Sequence, residues 1–114
     1  LNGDCDALAY ALHKKCERPI SILTGFYMYQ NVSYPYLAHA FIRWSEGIGL
    51  DIKGLRSVLD IRKEFRHKKD RVEYTEFATL DEMLKLTNRI YKIEYNLAKP
   101  FADHLLLEIS KNPV

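Results

Sequence analysis

A histidine in the middle of an apolar run is the feature that most constrains this chain. Leu37-Ala38-His39-Ala40-Phe41 lies inside Tyr36 to Trp44, which reads as a largely buried strand, and an imidazole there needs a polar partner to offset its desolvation. Ser45-Glu46-Gly47 then fits a three-residue hairpin loop ending in glycine, and Ile48 to Ile52 reads as the returning strand. In that register His39 lies opposite Lys53. Asp51, two residues away, shares the histidine's face at a diagonal distance that polar side chains bridge. The sequence therefore predicts an antiparallel hairpin with a His39–Asp51 pair, the aspartate fixing the imidazole tautomer.

The elements around this hairpin follow from periodicity. Ala7, Leu8, Ala11 and Leu12 recur at helical spacing between Asp4 and Cys16, and Arg18-Pro19 ends the run. Ile20 to Tyr27 reads as a strand, followed by a polar, tyrosine-rich connection through Asn31, Ser33 and Pro35. Leu55, Val58, Leu59 and Ile61 predict a helix, and Val72 to Phe77 a short strand after the polar segment 66–70. Thr79 and Glu82 form a capping box opening a helix to about Asn96, and Pro100 starts a last helix to about Lys111. This order of helix, strands and helices indicates an α+β fold: an N-terminal helix packed on a small antiparallel sheet, with C-terminal helices, in one domain over residues 1–114.

Composition narrows the function classes. A chain of 114 residues, 47% hydrophobic, suits one core. The net charge of +2 gives no footprint for nucleic acid, and the basic run Arg62 to Arg71 reads as a solvated turn. No apolar stretch reaches the ~20 residues of a membrane span. Cys5 and Cys16 stand too far apart along one helix to be bridged, so both are expected to stay reduced, which favours a compartment such as the cytoplasm, a secreted effector being the other option. Cys, His and Asp are all metal ligands, yet no C-x-x-C, H-x-x-x-H or H-E-x-x-H spacing occurs, and no metal or other cofactor is expected.

A thiol becomes a nucleophile at a helix N-terminus with an imidazole in reach. Cys5 occupies the first turn of the first helix, whereas Cys16 sits at the wrong end of the dipole and reads as structural. The candidate catalytic residues are therefore Cys5 as nucleophile, His39 as base and Asp51 as the group orienting it. Tyr34 and Tyr36, in the tyrosine-rich loop before His39, are candidates for contacting substrate.

Asn2-Gly3-Asp4-Cys5-Asp6-Ala7-Leu8-Ala9 resembles the Gly-x-Cys helix opening of papain-like and transglutaminase-like cysteine enzymes. His39-Ala40-Phe41-Ile42-Arg43 and Leu50-Asp51 resemble their histidine strand and the strand of their third residue, and the step from His39 to Asp51 is similar to that of the NlpC/P60 branch. The resemblance covers roughly residues 2 to 54. It implies acyl transfer from an amide of a protein or peptide substrate to the thiol, through a thioester, as a peptidase, amidase, glutamine deamidase or acyltransferase. It also implies an oxyanion hole from the Cys5 N–H and Asn2. The alternative of another class is a non-enzymatic inhibitor or effector that keeps this scaffold and acts by occupying a partner's surface. Its activity would survive loss of Cys5 and depend on the exposed tyrosines and lysines.

Overall fold

The computed structural model describes residues 5–66, 70–87 and 91–111. The elements are α1 (Cys5–Cys16), β1 (Ile20–Tyr29), β2 (Val32–Ser45), β3 (Ile48–Asp51), β4 (Gly54–Ser57), α2 (Val58–Glu64), β5 (Arg71–Ala78), α3 (Leu80–Lys85) and α4 (Tyr91–Lys111). The five strands form one antiparallel sheet in the order β4-β3-β2-β1-β5, and the fold is α+β as expected.

Strand alternation divides the apolar residues between two faces. Ile20, Ile22, Ala40, Ile42 and Leu50 point to one face, where they pack with Ala7, Leu8, Ala11 and Leu12 of α1, Met83 of α3, and Ala98 and Ala102 of α4. Fully buried alanines on both α1 and α4 let the two helices approach closely, and the contact is pinned by an edge-on Tyr10–Tyr95 pair with centroids 5.1 Å apart. Lys15 and Asp103 close it from outside at 2.5 Å. On the opposite face Leu23 and Phe41 pack with Val58 and Ile61 of α2, joined by Ala38, Phe65, Val72 and Tyr74. Gly49 is the hinge of this second layer: a Cβ there would stand 2.7 Å from the Phe41 ring and 2.8 Å from Ile61, so only glycine lets α2 sit this close.

Several expectations are corrected. The tyrosine-rich connection is not a loop but the end of a hairpin, with β1 running on to Tyr29, a turn at Gln30-Asn31 and β2 starting at Val32. Both turn residues have positive φ, 50° and 63°, the backbone that a two-residue hairpin of matching twist requires. Pro35 is tolerated because, among the described residues, this stretch of β2 pairs only with β1, so its other edge needs no N–H. The helix expected from Leu55 is instead β4 followed by α2, with Gly54 at φ 93° turning the chain and the Ser57 hydroxyl accepting from the Asp60 N–H as N-cap. The Thr79–Glu82 capping box forms, but its helix ends at Lys85, and α4 runs unbroken through Pro100. Asn96 and Pro100 are both exposed, so the hydrogen bond that proline removes is lost on the side of α4 where it costs least.

Candidate functional site

The β2–β3 hairpin pairs Ile42 with Leu50 and Arg43 with Gly49, and Trp44 is a bulge before the Glu46-Gly47 turn. Phe41 and His39 project from the same face of β2, and Asp51 projects beside them from β3. The His39 Nε2–H donates to Asp51 Oδ2 at 2.9 Å, with both side chains buried. The imidazole lies flat against Phe65, ring centroids 4.2 Å apart and 12° from parallel, and stacks more loosely on Phe41 at 5.9 Å.

Asp51 is the hub of this network. Its Oδ1 accepts from the Lys53 backbone N–H at 3.0 Å, and its Oδ2 also accepts from Arg56 Nη2 at 2.6 Å. Arg56 donates through Nη1 to Glu64, which Lys53 Nζ reaches at 3.0 Å. Burial pushes the Asp51 carboxyl up. The hydrogen bonds from His39, Arg56 and the Lys53 N–H, with the Arg56 charge, outweigh it and hold the carboxyl below its ordinary range. Hydrogen bonds from Arg56 and Lys53 likewise lower Glu64. The network ties β2, β3, β4 and α2 together and holds one imidazole in one orientation.

The thiol expected to complete it is elsewhere. Cys5 opens α1 and packs against the Ala7–Ala40–Ile42 side of the sheet, whereas His39 shares the α2 side with Leu23, Phe41 and Phe65. The sheet itself stands between them. The structure thus brings His39 and Asp51 together and sets Cys5 apart, because successive residues of β2 point to opposite faces and α1 covers the face of Ala40. Asn2, the oxyanion-hole candidate, lies outside the described residues.

No family model matches this chain, and comparisons with curated proteins and with solved structures find no match. Among the described residues no group of three or more His, Cys, Asp or Glu side chains is placed to hold a metal ion, and no helix is long and apolar enough to cross a membrane.

Tyr34 and Tyr36 belong to a second candidate region. Beyond Phe26, β1 and β2 pair, among the described residues, with nothing but each other, forming a two-stranded arm. Cross-strand pairing puts Tyr27 opposite Tyr34 and Tyr29 opposite Val32 on one face, with Tyr36 opposite Gly25 at its root. The Tyr27 and Tyr34 rings stack at 5.4 Å, and Tyr36 tilts against Tyr27 at 5.9 Å. The Tyr36 hydroxyl donates to Asp70 at 2.7 Å, and burial together with this carboxylate raises its pKa. Sequence reasoning found the tyrosines but not the arm, since Ser33 and Pro35 read as loop residues. The near-alternation of aromatic residues from Phe26 to Tyr36 was the available signal.

Proposed function

We propose that this chain is a non-enzymatic binding protein that engages a protein partner through the aromatic face of its β1–β2 arm. One observation carries the reading: Tyr27, Tyr29, Val32 and Tyr34 share that face at 44%, 60%, 49% and 39% exposure, with Met28 at 66% on the reverse. The arm is exposed on both faces, so the fold gains little from its apolar residues. Contiguous exposed apolar area of this kind marks interaction surfaces. Tyrosine and methionine are the side chains enriched at such contacts, since they present large area with few rotors or with an adaptable thioether. The face is also preset. The Tyr27–Tyr34 stack and the Tyr36–Asp70 bond order the rings before any partner arrives, which lowers the entropy cost of binding. Arg71, held over Phe26 at 4.4 Å, adds a cation at the base of the arm.

The test is affinity capture from cell extract with the parent chain, a Tyr29→Ser/Tyr34→Ser variant and Cys5→Ala. A partner held by the parent and by Cys5→Ala but lost from the tyrosine variant is the expected result. A partner or substrate retained by the tyrosine variant and lost with Cys5 would contradict it.

A second reading, a thiol hydrolase or acyltransferase acting on an amide bond, is favoured by Cys5 in the first turn of α1 and by the His39–Asp51 pair. It requires a base on the Cys5 side of the sheet, a position His39 does not occupy.

A further inference from the structure

A groove of about 870 Å³ opens between α4 and the β2–β3–β4 side of the sheet, away from the arm and on the opposite face from His39. Its walls are apolar, with Trp44, Ile48 and Leu55 facing Leu106 and Ile109 of α4. Its size is that of small-molecule sites, which run from about 300 to 1,000 Å³. Among the described residues no acidic side chain lines it, while two arginines do. Their situations differ. Arg56 directs its guanidinium to Asp51 and Glu64 on the His39 face of the sheet and is neutralised there. Arg18 has no carboxylate partner among the described residues: its guanidinium lies over the Trp44 ring at 3.8 Å and donates through Nη1 to the Trp44 carbonyl. Stacking and that single bond fix the plane of the fork while leaving further N–H donors for an acceptor.

We propose that this groove binds a small amphipathic monocarboxylate, its carboxylate on Arg18 and its apolar body between Trp44 and Leu106. A guanidinium with a fixed plane and no carboxylate partner among the described residues matches a flat, singly charged carboxylate. A phosphate dianion would require a second available cation, and Arg56 is committed. The site is independent of the partner-binding reading of the arm.

Trp44 is the chain's one tryptophan, so its fluorescence reports occupancy directly. The full chain is titrated with decanoate below its micelle concentration, with decanol and decyltrimethylammonium as neutral and cationic probes. The expected result is a saturable change with decanoate and binding at least about tenfold weaker for the other two, the scale of one charge-assisted hydrogen bond. Arg18→Gln and Ser110→Glu, the second an added carboxylate at the exposed rim beside Ile109, each weaken decanoate by about tenfold or more and leave decanol unchanged. Far-UV circular dichroism verifies that both variants fold. The absence of a saturable response, or decanoate binding equal to decanol and indifferent to both substitutions, would overturn the proposal.

Discussion

Asp51 is the residue on which most of the polar interior depends. It is 3% exposed and accepts from three donors, so Asp51→Asn removes the buried one of the two carboxylates that neutralise Arg56. Breaking a buried, hydrogen-bonded pair of this kind costs about 3 kcal/mol, and the partial exposure of Arg56 places the expected loss near the low side of that. The pH dependence has a definite sign. The folded carboxyl lies below its unfolded value of ~4, so its contribution is complete above ~4 and is lost as pH falls through the lower folded value. Urea midpoints from pH 2 to 6 should show that acid limb in the parent and a flatter one in Asp51→Asn; equal limbs would show that Asp51 is not the linked group. The His39–Asp51 contact is legible in the sequence because a histidine in an apolar strand demands a partner and the hairpin register allows few. The position of Cys5 relative to it is not legible. Leu37 to Phe41 is apolar on both sides of the strand, so nothing local says whether the first helix covers the face of His39 or of Ala40.

Among the elements, glycines decide two packings. Gly49→Ala would drive a methyl between Phe41 and Ile61, both fully buried, and overpacking of this sort costs about 1–3 kcal/mol. Denaturant unfolding measures it, and a neutral result would mean that α2 shifts freely. At Gly25 a Cβ would stand 2.2 Å from the Tyr36 ring. There the ring must rotate and release Asp70, so Gly25→Ala should cost about 1 kcal/mol. It should also return the Tyr36 hydroxyl toward its ordinary pKa, read by ultraviolet titration of tyrosinate. These close approaches are invisible in a sequence, where a strand glycine signals only that something comes near. The capping box of α3 is legible because Thr79 and Glu82 are three residues apart. Passage of α4 through Pro100 is not, since the packing of Ala98 and Ala102 on α1 overrides the local preference to break.

For the whole molecule, the two-layer burial predicts a gradient of local stability. Amides of Ile20 to Leu23 and Ala40 to Ile42, covered on both faces, should exchange slowest, and those of Tyr27 to Tyr34 in the arm much faster. Uniform protection along β1 and β2 would mean that the arm is stabilised by something besides its own pairing. The α+β layering follows from periodicity, but which helix takes which face of the sheet is settled only by long-range packing, and that choice separates Cys5 from His39. The most direct measurement is therefore the rate of iodoacetamide alkylation of Cys5 against Cys16 from pH 4 to 9, in the parent and in His39→Gln, resolved by peptide mass spectrometry. The structure predicts a Cys5 profile unchanged by His39→Gln. Fast labelling well below the ordinary thiol pKa of ~8.5, slowed when His39 is replaced, would contradict the separation of the two residues and restore the thiol enzyme.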